Sequence, residues 1–456
     1  MSLNKAPKNN VFYRNSNWHY PKIERGEGIY LFDKDGKKYL DGCAGSAVAN
    51  IGHGNKEIAE FAKEQIEKIA FTHLSRWTAD SIEQCAERVA RWAPCNVSYV
   101  YFLSGGSEAS ETAIKLARQY YVERDGASTS KWKVISKWNS FHGNTLGALA
   151  LTGITGRRKM FDQMLVNFPK IPQFYHYRNM WDAETVEKTS IKAAYALEEE
   201  ILRQGAENIA AFISEPVIGS AAPGVHPTRI YFKIIREICD KYDILFIDDE
   251  VMAGFGRTGE NFAINHFGGE CEVAPDIIVT GKGMGCGYTP IAATIVSDKI
   301  YYTMMTKGTG LFIHGHTYAG NPLSCAIADK ALEIVERENY VENAKVQGEY
   351  LLEKLQDLYK YPIVGDIRGK GLMIGVELVE DKKTKKPFDI SKNVRGKLTQ
   401  KCLDEGLVIY PGGGSVDGER GDHFLLAPPL NITSKQVDDL VSMLDAGISK
   451  ICDEII

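Results

Sequence analysis

One lysine stands where it could do covalent chemistry. Lys282 follows the apolar run 277–279 and Thr280, and it is held between Gly281 and Gly283. A lysine at the end of a buried strand is costly to desolvate unless it is neutralised or paired. Glycines on both sides clear side chains away and let a planar ligand approach the backbone. These surroundings lower an amine's pKa and prepare it to attack a carbonyl, as a Schiff-base lysine must. A surface lysine in a glycine-rich loop is the competing reading of these residues.

Other segments carry groups that would complete such a site. In SGGSEASETA, residues 104–113, a strand runs into Gly105 and Gly106, and a helix is expected to open at Ser107. Converging amides, a serine N-cap and the positive helix terminus make a phosphate cup, or simply a capped helix. Phe141, before His142 and Gly143, could stack on a flat ring or fill the core. Asp248, Asp249 and Glu250 end an apolar strand. Alternation puts Ile247, Asp249 and Val251 on one face, and Asp248 and Glu250 on the other. A buried Asp249 needs a cation, which a protonated pyridine nitrogen or a metal would supply. Arg257, in the GFGRTG that follows, reads as a structural arginine. His314 and His316 form H-x-H before Thr317. No partner motif supports zinc there, and the Thr317 hydroxyl suits a phosphate.

The elements that must position these residues follow from periodicity. Strand-length apolar runs at 99–103, 133–136, 211–214, 244–248, 277–280 and 291–296 alternate with helical patterns at 107–121, 191–204 and 228–242. Runs that are apolar throughout predict strands covered on both faces, hence an α/β domain with a mostly parallel sheet. Ligands in such sheets sit at the carboxyl ends of strands, where the candidate residues fall. Residues 33–36 carry a D-x-D-G turn that predicts a hairpin near the N-terminus. After a helix at 322–336, the chain mixes long helices with strands at 372–378 and 424–427. The expected division is 1–60 and 326–456 forming a smaller α+β domain from both chain ends, around a large domain at 61–325.

Composition narrows the function further. The 456 residues, 44% hydrophobic and 25% charged, describe a globular chain. A net charge of −5 leaves no footprint for nucleic acid or an anionic membrane. No apolar run reaches the ~18–20 residues of a membrane helix, and the first residues lack a signal-peptide core, so a cytoplasmic chain is expected. The nine cysteines, with no C-x-x-C pair, argue for reduced thiols rather than disulfides or zinc. No G-x-G-x-x-G follows the first strand, which argues against a nicotinamide dehydrogenase.

Taken together, SGGSEASETA, FHG, SEPVIG, IDDEVMAGFGRTG, the lysine in GKGMG and HGHTYAGNP resemble the class III aminotransferases, pyridoxal-phosphate enzymes of fold type I. The match is in type, order and spacing, from about Trp18 to the C-terminal helix. The resemblance implies that Lys282 forms the Schiff base with pyridoxal 5'-phosphate and then shuttles protons, and that Asp249 holds the pyridinium nitrogen protonated. It implies that Phe141 and Val251 flank the ring, with His142 beside the cofactor, and that Gly106 and Ser107 bind the phosphate. Gly105 stands where many members carry serine. Glu215 matches a glutamate near the cofactor hydroxyl and substrate pocket. Thr317 would reach the phosphate in a neighbouring subunit, implying a homodimer with shared sites, which could pair into a tetramer. Met252 replaces a glutamine of the 4-aminobutyrate enzymes, and Phe141 the commoner tyrosine. The first departure points to the amine:pyruvate branch. Arg420, in a loop with a glycine-rich insertion at 412–414, is the nearest arginine to the usual substrate-carboxylate position. Trp18, with Tyr20, falls where N-terminal residues line the substrate pocket, and Arg76 and Trp77 are further candidates. The expected reaction moves an amino group from an ω-amino acid, β-amino acid or primary amine to a 2-oxo acid, pyruvate foremost. A racemase or aminomutase of the same family is the alternative.

Overall fold

A computed structural model describes residues 10–268 and 271–455. At its centre is a seven-stranded sheet. From one edge to the other its strands are Val97–Leu103, Ala292–Ser297, Ile277–Thr280, Leu245–Asp249, Ile209–Ser214, Lys133–Lys137 and Lys170–Ile171. The last five are parallel to one another. Ala292–Ser297 runs antiparallel to both its neighbours, so Val97–Leu103 points the same way as the parallel set. The expected strands therefore form, their ends shifted by one or two residues.

Residue type explains why this sheet lies inside. Every residue of Ile209–Ser214, Leu245–Asp249 and Ile277–Thr280 is buried. Alternate side chains feed two cores: Leu245, Ile247 and Val279 pack with Ala113 and Leu116 of the helix Gly106–Asp125. Phe246 and Ile278 pack with Leu197 and Phe232 from the helices Val186–Gln204 and Arg229–Lys241. Each such large apolar side chain contributes roughly 1.5–3 kcal/mol by leaving water.

A third core joins both ends of the chain, bringing Ile29 and Leu40 against Leu355, Val376, Leu407 and Leu444. Tyr30–Asp33 and Lys38–Asp41 pair antiparallel as the expected hairpin, and Leu407–Val408 adds to it in parallel. The turn is made by the Asp33 carboxylate, which accepts from the amides of Asp35 and Lys37 at 3.0 and 2.9 Å. A further sheet holds Val364–Lys370, Met373–Leu378, Asp422–Leu426 and the edge strand Tyr410–Gly413. That edge strand escapes sequence reasoning because proline and glycine are disfavoured in strands and tolerated at edges.

Among the described residues no helix is long and apolar enough to cross a membrane. The cysteine expectation needs correcting, because Cys95 and Cys271 form a disulfide across 176 residues of sequence. Spacing could not reveal it, since the fold alone brings these residues together. The other seven cysteines are free and buried. Alkylation of the denatured, unreduced protein should therefore modify seven thiols, and nine after reduction. Nine without reduction would rule out the bond.

Candidate active site

All strands that run with the parallel set end on one edge of the sheet, and the loops leaving that edge enclose a cavity of about 140 Å³. Its walls include Gly106, Ser107, Phe141, Glu215, Asp249 and Lys282. Asp249 pairs in register with Val279 on the adjacent strand, and Lys282 follows three residues later, just past that strand's end.

The helix Gly106–Asp125 begins one residue earlier than expected. Gly105, extended at φ −153° and ψ 153°, occupies the cap, and no side chain caps the helix. Ser107 is thus its second residue and not its N-cap. The Glu108 carboxylate reaches back instead to the Ser104 amide, ahead of the helix, at 2.9 Å. This leaves the first-turn amides and the positive helix end directed to the cavity floor. Gly106 is needed there, since a Cβ would lie 2.8 Å from Val251 Cγ1. Gly143, at φ +136°, is needed as well: its Cβ would meet Ser107 Oγ at 2.6 Å. At Gly105 the space for a Cβ is open, so the serine of related proteins would fit.

Asp249 is 4% exposed. One carboxylate oxygen lies 2.6 Å from His142 Nδ1 and the other accepts from the Val251 amide at 3.1 Å. The carboxylate accepts, so the His142 proton sits on Nδ1. His142 Nε2 is buried and has no partner among the described residues. Glu215 is tied at both oxygens, accepting from the amides of Phe141 and Gly219 at 3.0 Å each. Burial, with the nearby Asp249 charge, pushes the Glu215 carboxyl above the usual range. The strand alternation separates the acidic triplet as expected. On the far face from Asp249, burial drives Asp248 well up and Glu250 to about 7. Behind them lies Lys137, fully buried and lowered to about 7 by desolvation against the pull of Glu215, Asp248 and Asp249.

Lys282 adopts φ 44°, a left-handed conformation that costs a non-glycine residue energy and clusters at functional sites. Among the described residues its amine makes no hydrogen bond or ion pair. Burial lowers it from the ordinary 10.5 to about 8, and the charge of Arg157 adds to this while Asp249 and Glu215 oppose it. Of the flanking glycines, Gly283 is fixed by packing, while at Gly281 a Cβ would find only ordinary contacts. A Cβ at Gly283 would strike Asn50 Nδ2 at 2.5 Å, and one at Gly281 would sit 3.5 Å from the Gly106 nitrogen. Asn50 is in turn held by Arg257, which is fully buried. The arginine donates to Asn50 Oδ1 at 2.7 Å and to the carbonyls of Leu372 and Pro428, the structural role expected of it.

The remaining expected residues lie elsewhere. Trp18 sits in the irregular N-terminal segment outside the cavity walls, and Tyr20 lines a separate cleft near Asp33 and Asp404. Trp77 is exposed. Thr317 is exposed on its loop and does not line its own chain's cavity. His314 bonds Thr112 and Lys115. Arg420 is 56% exposed at its side chain and bonded to Asp417 at 2.7 Å. Met252 does line the cavity and packs over Gly219. Sequence reasoning missed Arg157, on the short helix Thr155–Arg158, because nothing in a run of two arginines distinguishes the one whose guanidinium rests against Phe141.

An amine lowered toward neutrality, a hydrogen-bonded buried carboxylate for a ring nitrogen, and uncapped amides for a phosphate fit pyridoxal phosphate as a set. The comparisons with known proteins agree. The family model for class-III aminotransferases matches residues 12–448. YodT, an uncharacterized aminotransferase of Bacillus subtilis, is 38% identical over 433 residues, covering 95% of this chain and 96% of that one. The putrescine–pyruvate aminotransferase of Pseudomonas aeruginosa is 35% identical, with 92% and 89% covered. Among solved structures, the PLP-bound amine transaminase of an uncultivated Pseudomonas species superposes with a TM-score of 0.88 at 32% identity, covering 99% of each chain.

Lys282 gives a stability test. Its folded pKa lies below its unfolded one, so the unfolded chain binds more protons between about 8 and 10.5. Stability from this group therefore rises with pH across that window and is lost as pH falls. In cofactor-free protein, Lys282→Met should raise stability near pH 7, with a ceiling of about 3 kcal/mol. The gain should shrink as pH climbs from about 8 toward 10.5. Thermal unfolding across this range measures it, and a pH-independent difference would count against a buried, depressed amine.

Proposed function

The chain belongs to the class-III aminotransferases, and from that premise we propose that it transfers an amino group from a primary amine, ω-amino acid or β-amino acid to a 2-oxo acid, pyruvate foremost. It is a pyridoxal-phosphate-dependent transaminase with the α/β architecture of fold type I. The observation that carries the substrate-side reading is the partnerless Lys282 amine, facing the cavity from the strand next to Asp249.

When bound, pyridoxal phosphate supplies a carbonyl that captures amines and a ring that takes up electrons from a breaking C–H bond. The residues of this chain do the rest. Lys282 Nζ takes a proton from the donor carbon and returns it, and a pKa near 8 suits both directions near neutral pH. Asp249 holds the proton on the ring nitrogen, and His142 fixes the orientation of that carboxylate. Gly106 and Ser107 take the phosphate, with Gly105 at the rim of the cup. Phe141 and Val251 flank the ring, and Glu215 stands toward the substrate.

The active unit in this reading is a cytoplasmic homodimer, able to pair into a tetramer, in which Thr317 of each protomer serves the other's phosphate. The exposure of Thr317, alongside the exposed apolar Leu311, Ile313 and Tyr318, supports this arrangement.

The decisive experiment follows the visible absorbance of the holoenzyme through a panel of amines and then pyruvate. A band that fades with a donor and returns with pyruvate is the expected result, and the strongest donor defines the substrate class. An amino acid changing configuration without any oxo acid would replace this reading with an isomerase. Lys282→Ala should lower the proton-transfer rate roughly 10²–10⁴-fold.

A further inference from the structure

A 2-oxo acid brings a carboxylate to the cavity that holds Lys282, and that carboxylate needs a cation. Of the cations around the site, most already have a partner. Arg420 is bonded to Asp417, Arg158 reaches Asp162, and Lys159 reaches Glu419. Arg257 is buried among carbonyls. Arg157 differs. Among the described residues it has no ion pair, and its only side-chain hydrogen bond is from Nη2 to Ser220 Oγ at 3.3 Å.

Its position is equally specific. The guanidinium carbon lies 4.5 Å from the centre of the Phe141 ring, and Phe141 is a wall of the cavity. Ser220 follows the loop that Glu215 organises through the Gly219 amide. A guanidinium resting on an aromatic ring keeps its edge donors free, and that edge matches a planar carboxylate in a two-bonded fork. The positive charge is also close enough to press the Lys282 amine downward, a pressure that an incoming anion would relieve.

The loop at 414–421 accounts for how the arginine is held. The Gly156 amide donates to the Gly418 carbonyl and Thr155 Oγ1 to the Asp417 carbonyl, each at 3.0 Å. Gly418, at φ +87°, allows this approach, since a Cβ there would lie 2.3 Å from Thr155 Oγ1. The loop expected to present Arg420 to substrate instead clamps the helix that carries Arg157.

We propose that Arg157 is the substrate-carboxylate residue of this enzyme, binding the 2-oxo acid acceptor and amino-acid donors at the face of Phe141. This rests on the transaminase reading above. The test compares wild-type, Arg157→Gln and Arg157→Lys holoenzymes in two assays. In the first, single half-reactions are run with β-alanine and pyruvate, which carry a carboxylate, and with 1-phenylethylamine, which does not. In the second, propionate, an unreactive carboxylate, is titrated against the holoenzyme's absorbance. For Arg157→Gln the KM for pyruvate and the Kd for propionate should rise roughly 10- to 100-fold. The loss on β-alanine should exceed that on 1-phenylethylamine by a similar factor, and Arg157→Lys should restore part of it. Equal losses on all substrates, or an unchanged propionate Kd, would overturn the assignment. Should no amine give a pyruvate-dependent return of absorbance in the wild type, the transaminase reading fails. The propionate titration still decides whether Arg157 holds a carboxylate.

Discussion

An amine and a carboxylate that would each favour water are held at neighbouring strand ends, facing one small cavity. Desolvation is the constraint, and the two groups meet it differently. Asp249 is furnished with donors from His142 and the Val251 amide. Lys282 is given no partner and is pushed toward neutrality instead. Buried polar groups carry their full desolvation cost when left unmatched. The parallel strands bring the two groups to one end of the sheet, and Gly106, Gly143 and Gly283 leave room for the side chains that pack around them.

The same asymmetry extends behind the site. Asp248 and Glu250 point away from the cavity and are driven toward their neutral forms, while Lys137 beneath them is lowered to about 7. Of three successive carboxylates, Asp249 accepts hydrogen bonds beside the cavity from His142 and the Val251 amide, and Glu250 accepts from the Ile264 amide on the other face. Asp248 and Glu250 sit in the opposite core, where a charge would be expensive. Strand alternation alone accomplishes this separation.

That alternation is also why so much could be read from sequence. Period-two burial and the all-apolar runs located the central strands, and glycine-punctuated strand ends located Lys282, Asp249 and the phosphate cup. What escaped was set by tertiary contact. The cap position of the helix Gly106–Asp125 falls on Gly105 because the chain runs extended there, a choice that a serine in the sequence does not reveal. Cys95 and Cys271 meet only when their loops do. Gly283 is glycine because Asn50 fills its space, a reason found more than two hundred residues away. Arg157 and Arg420 are both arginines near glycines, and only their partners in space separate them.

Arg257 gives these long-range contacts a temporal meaning. It lies in the loop that follows Asp249, and it bonds to Asn50, to the Leu372 carbonyl and to the Pro428 carbonyl. Synthesis proceeds from the N-terminus at about 5–20 residues per second, so the arginine leaves the ribosome long before its last acceptor does. Until the region of Pro428 emerges, this buried cation lacks the carbonyls that compensate its desolvation, and the loop beside the carboxylate lacks its anchor. A nascent chain holding every residue of the cavity is therefore still without a finished site. Burial of Arg257 is thus completed only when the last part of the chain joins the first.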